Sequence, residues 1–224
     1  MVYIDENPDY KKLYSILVKT FSDYGYFDYG HNDETFCSMR VFETAKDLIK
    51  RIDVDVDVEV ILTASILHDI GKSDLDLEII KSESNPDRTK IFETHVKKSV
   101  PLVKEILEKE GYSSDFIEKV CFLVGHHNKK IDGLQTRSLE LQILQDADIL
   151  ADFGSVFFLR VISYGAIYKR PLIDSIKYFL EVEDRVFEDD ILNLNVSKQL
   201  VQENLAFLSN LKSELSNFLD SELL

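Results

Sequence analysis

The stretch Val58–Ser73, VEVILTASILHDIGKS, decides how the rest of the chain is read. With the residues before it, it forms IDVDVDVEV, whose strict alternation reads in isolation as a β-strand. The longer pattern argues against that. From Val58 to Ile70 the residues are apolar nearly all round a helix, with Asp57 placed to cap its start and Gly71 to stop it. A helix apolar on every side belongs at the centre of a bundle. The chain is therefore expected to be all-α.

Working outward, the same periodicity recurs. Tyr10, Leu13, Leu17 and Phe21 mark a helix over about 8–22, and Cys37, Val41, Ala45, Leu48, Ile49 and Ile52 one over about 33–52. Further helices are expected at about 74–82, 91–110, 114–127, 136–150, 152–168, 172–185 and 197–221. Pro101 should kink its helix or mark the true start. The last helix carries Val201, Leu205, Leu208, Leu211, Leu215, Phe218 and Leu219 on one face. That stripe packs on its own domain or, alternatively, forms a homodimer seam. Neither Ser82–Arg88 nor Asn128–Gln135 resembles a linker, and no repeat is visible. The expectation is one all-helical domain over residues 1–224.

Composition narrows the function. The 224 residues carry 26 basic against 41 acidic side chains, a net charge of −15. Nucleic acid and anionic membranes are excluded as main partners, because no surplus of cations exists to neutralise phosphates. A small phosphorylated substrate stays admissible, since a bound metal reverses the local sign. Two cysteines, Cys37 and Cys121, exclude a disulfide scaffold and suit a reducing cytosol. The opening MVYIDENPDYKK has no apolar signal core, and no run approaches the ~20 apolar residues of a membrane span. A cytoplasmic protein is expected.

Some motifs are mimics. Asp53, Asp55 and Asp57 imitate a calcium loop, but Val58 and Ala64 stand where Gly and Glu are required. Gly71-Lys72-Ser73 imitates the end of a P-loop, but Ile66 occupies the first glycine position and no strand precedes it.

The histidines are more informative. His68 and Asp69 end the buried helix, where each polar head needs a partner. His95 in FETHVKKS, His126 and His127 in VGHHN, and Asp146 in LQDAD also lie at or near the ends of apolar helical stretches. Bundles bring such ends together into metal sites. Lys72 either complements the helix C-terminus or binds phosphate. Asp148 reads as a helix-start or supporting residue, and Arg40 as structural. Arg160, among Val156, Phe157, Phe158, Leu159, Val161 and Ile162, needs an anion from an aspartate or from substrate.

Taken in order, ILHDIGK, HVKKSVPLVKEIL, GHH and ILQDADILADFG resemble the HD superfamily of metal-dependent phosphohydrolases, from about residue 26 to 165. The resemblance implies an all-helical HD core followed by a C-terminal extension over about 170–224. It also implies one or two divalent ions, with Mn, Fe or Zn foremost and Mg or Ni admissible. The implied ligands are His68, Asp69 and Asp146, joined by His95 and His126, with His127 beside the substrate. Asp69, Lys72 and Arg160 are the implied catalytic residues, the last two gripping phosphate. One departure stands out: the family's first histidine, in H-x-x-R-V, is replaced by Cys37 in Cys37-Ser38-Met39-Arg40-Val41. Three accounts follow: Cys37 ligates as thiolate, His31 substitutes, or the ligand is lost. The implied activity is hydrolysis of a small phosphate ester, a nucleotide above all. The alternatives are a nucleotide-binding regulatory module without turnover and, more remotely, an iron-dependent oxygenase.

Overall fold

The computed structural model describes residues 8–23, 33–75, 90, 94–128, 138–167, 169–186 and 191–222. Among them it is all-helical and contains no strand. The described residues cluster in two compact units, Met1–Ala151 and Asp152–Leu224.

In the first unit, α1 (Pro8–Asp23) and α2 (Asp33–Arg51) precede α3 (Val58–Leu67) and a 3-10 turn (Ile70–Asp74). Then come α4 (His95–Lys109), α5 (Ser114–His126) and α6 (Leu139–Ala151). The alternating IDVDVDVEV segment pairs with no strand, and its last aspartate does cap a helix. Asp57 Oδ1 accepts from the Val60 N–H at 3.3 Å. From Val60 to Leu67 every residue of α3 is buried, and α3 packs against α1, α2, α5 and α6. Ile61, Ile66 and Leu67 are fully enclosed, and each such side chain contributes about 1.5–3 kcal/mol. Leu13, Leu17 and Phe21 of α1, Phe42 and Leu48 of α2, and Leu141 and Leu144 of α6 complete the core around it.

Two boundaries differ from the sequence reading. The central helix stops at Leu67, and the chain then tightens into the 3-10 turn. His68 and Asp69 therefore lie at the junction instead of inside a helix that runs on to Ile70. The α4 helix begins at His95 and continues through Pro101, which lies on its exposed side. The proline thus marks no helix start; water can satisfy the carbonyl that it leaves without a donor. The helix expected at 74–82 falls mostly outside the described residues.

In the second unit, α7 (Ser155–Ile167) packs on α8 (Leu172–Val186), followed by α9 (Asn195–Glu222). Phe157 and Phe158 both pack against the buried Phe179 ring, the first tilted and the second edge-on, with centroids 5.7 and 5.0 Å away. On α9, Leu208 and Leu219 are buried while Phe207 and Phe218 are exposed. Among the described residues no single helix is long and apolar enough to cross a membrane.

Candidate metal centre

Three elements of the first unit bring His68, His95 and His127 round one carboxylate. His68 and Asp69 arrive at the end of α3, His95 opens α4, and His127 follows α5. All four are at most 3% exposed. Asp69 is the hub. Its Oδ1 lies 3.0 Å from His95 Nε2 and 3.4 Å from His127 Nε2. Its Oδ2 lies 3.2 Å from His68 Nε2 and 2.5 Å from Lys72 Nζ. From α6, Asp148 Oδ1 stands 3.4 Å from His68 Nε2.

The rings are oriented by their own backbone. His68 Nδ1 is 2.9 Å from the Ser65 carbonyl oxygen, and His127 Nδ1 is 2.7 Å from that of Val124. A carbonyl only accepts, so each Nδ1 carries the proton, and in the neutral ring Nε2 is left as the lone pair facing the cluster. Gln145 ties the end of α5 to α6, its amide donating to the His126 carbonyl at 2.8 Å.

Electrostatics reinforce the arrangement. Burial alone would favour neutral His68, but the carboxylates of Asp69 and Asp148 outweigh it and hold its pKa well above the ordinary 6.5. Burial likewise opposes ionisation of Asp69. Lys72 foremost, then His68, His95 and His127, reverse this and hold its carboxyl well below the usual carboxylate range. Asp148 is lowered in the same way, burial being overcome by His68.

These residues fit a divalent ion. His68 Nε2 and Asp69 Oδ1 are buried and make no hydrogen bond of good geometry, a cost that a shared cation removes. Ligand atoms of His68, Asp69 and His127 all lie within 4.8 Å of one another. Donors about 2.0–2.2 Å from a common ion are themselves separated by three to four ångströms, so little movement is needed.

The structure redistributes several expected residues. His127, not His126, enters the cluster; His126 lies over the Phe122 ring at 4.5 Å, with its Nδ1 2.8 Å from the Phe122 carbonyl. Asp148, not Asp146, reaches His68. Two residues span about 200° of helix, so the fully buried Asp146 faces another side of α6. Cys37 is buried on α2 but does not join the three-residue set, and His31 lies outside the described residues. Arg40 holds the end of α6, its Nε donating to the Ala151 carbonyl at 3.2 Å. Arg160 belongs to the second unit, where Asp152 supplies the anion that its apolar neighbours demand and the Tyr164 ring lies beneath it.

Fold and site together define an all-helical protein with a buried histidine–aspartate centre of divalent-metal type. Residues 38–152, just over half of the sequence, match the HD domain family, and the chain belongs to it. Bacillus subtilis YpgQ has the same fold, at 18% identity and a TM-score of 0.60 over 93% of this chain and 96% of that one. The structure of YpgQ in complex with ADP gives 18% and 0.57 over 92% and 97%. A Lactobacillus plantarum protein gives 16% and 0.58 over 99% and 100%. No functionally curated protein matches the sequence.

Proposed function

We propose that this HD-domain protein is a metal-dependent phosphohydrolase acting on a small phosphate ester, with nucleotides as the substrate class. One observation carries the reading: His68 Nε2 and Asp69 Oδ1 are buried without a hydrogen bond of good geometry, inside the compact His68, Asp69 and His127 cluster. His68, Asp69 and His127 would hold the ion, completed by Asp148 on one side of Asp69 and His95 on the other. When bound, a divalent ion lowers the pKa of a coordinated water and polarises a phosphoryl oxygen.

The chain's own residues prepare that chemistry. Lys72 keeps Asp69 ionised and brings a cation to where phosphoryl oxygens would gather charge. The Ser65 and Val124 carbonyls keep the two Nε2 lone pairs aimed inward. Support for a nucleotide comes from the ADP complex of YpgQ, a relative in fold. The acidic charge and two cysteines suit work in a reducing cytoplasm.

Elemental analysis of the desalted chain, followed by a phosphate-release screen over nucleotides in Mn, Fe or Zn, tests the reading. It expects at least one ion per chain and turnover that Asp69→Ala removes. No ion and no turnover, or turnover surviving Asp69→Ala, refutes it. A second reading, a nucleotide-binding module without turnover, draws on Cys37, which stands outside the cluster in place of the expected first histidine. Activity appearing only in Cys37→His would favour it.

A further inference from the structure

The 3-10 turn that follows Asp69 is tied to α4 at a buried point. Ser99, one turn after His95 and fully buried, accepts a hydrogen bond on its Oγ from the Gly71 backbone N–H at 2.9 Å. The backbones touch there. A Cβ on Gly71 would stand 2.5 Å from the Ser99 nitrogen, 2.8 Å from its hydroxyl, and closer still to the His95 carbonyl oxygen. Only glycine admits that approach. A second tie joins the same elements, Lys98 Nζ to the Asp74 carboxylate at 3.0 Å. Those side chains are 38% and 53% exposed, so solvent weakens that pair. The buried tie is different: separating it strands an N–H away from water.

We infer that Ser99 is a positioning residue of the metal centre. Its hydroxyl clamps the turn after Asp69 against the first turn of α4, and so sets the 3.0 Å approach of His95 Nε2 to Asp69 Oδ1. The inference rests on the metal-centre reading and adds to it a residue that touches no ion. Metal affinity therefore depends on a side chain one turn removed from the ligand it serves.

The test is a titration of the full chain with Mn²⁺ by calorimetry and with Co²⁺ by visible absorption. Ser99→Ala should weaken Mn²⁺ binding about tenfold and change the Co²⁺ spectrum. His95→Ala should do the same, and the double variant should bind no worse than His95→Ala alone, because Ser99 acts through that imidazole. Additive losses would show general loosening and overturn the assignment, as would unchanged affinity in Ser99→Ala. If Ser99→Ala does not fold, Ser99→Cys, which keeps a side chain of similar shape but accepts the Gly71 N–H only weakly, goes through the identical comparison. A wild-type chain without affinity for either ion refutes the metal centre itself. Wild-type affinity that survives Ser99→Ala refutes only the positioning role.

Discussion

Replacing Asp69 by asparagine in the metal-free protein is the sharpest probe of the cluster's electrostatics. The substitution keeps the shape and removes the charge. It takes the charge from Asp69 Oδ2, 2.5 Å from the Lys72 ammonium, in a pair whose side chains are 5% and 9% exposed. Removing one partner of a buried pair costs about 3–5 kcal/mol, a large share of the roughly 5–15 kcal/mol that holds a domain together. At roughly 2–4 °C per kcal/mol for a chain of this size, Asp69→Asn should lower the melting temperature by about 10 °C. Thermal melts of chelator-treated protein at pH 7, followed by circular dichroism, read this directly. Adding Lys72→Met removes the ammonium that has lost this carboxylate, so the double variant should recover at least half of the loss. A melt of Asp69→Asn within about 2 °C of wild type, or a double variant no better than the single, would refute the account of a buried, mutually dependent pair.

Further outcomes follow from the same geometry. His127→Ala should lower bound metal while His126→Ala leaves it unchanged, because only the first ring faces Asp69; elemental analysis of both decides. Asp148→Ala should likewise lose metal, whereas Asp146→Ala should keep it and show its effect in urea unfolding alone. Stability of the metal-free chain should depend on pH at both ends. The folded pKa of His68 is raised, so its contribution is complete below about 6.5 and disappears as pH rises through the raised value. Asp69 and Asp148 are lowered, so theirs is present above about 3.9 and disappears as pH falls through their folded values. Urea midpoints across the pH range should therefore decline on the alkaline side in wild type and not in His68→Gln.

The bundle and its centre were legible before any coordinates because both rest on strong local signals. An apolar run longer than a strand, with Asp57 ahead of it, can only be satisfied as an enclosed helix, and α3 is that. A histidine–aspartate pair ending such a helix has to find partners, and it does so within the bundle. What local signals could not decide were choices of one or two residues, where the sequence reading favoured His126 and Asp146 as ligands. His126 and His127 differ by about 100° of rotation, and which one faces inward depends on where α5 ends. That end is fixed at long range, by Gln145 reaching the His126 carbonyl. Asp146 and Asp148 sit in equally apolar surroundings on α6, so composition gives neither an advantage. The packing of α6 against α2 and α3 sets the rotation that turns Asp148 towards His68.

The groups round Asp69 come from segments well separated along the chain: the α3 junction, the start of α4, the end of α5 and the last turn of α6. An unfolded chain cannot present them together, so an ion that needs them all binds only the finished bundle. Such an ion is a thermodynamic staple, reversible and adjustable in strength. Each tenfold rise of its concentration above its dissociation constant adds about 1.4 kcal/mol to folding stability. The abundance of folded protein would then follow the supply of metal, and depletion would lower the amount of the protein as well as its activity.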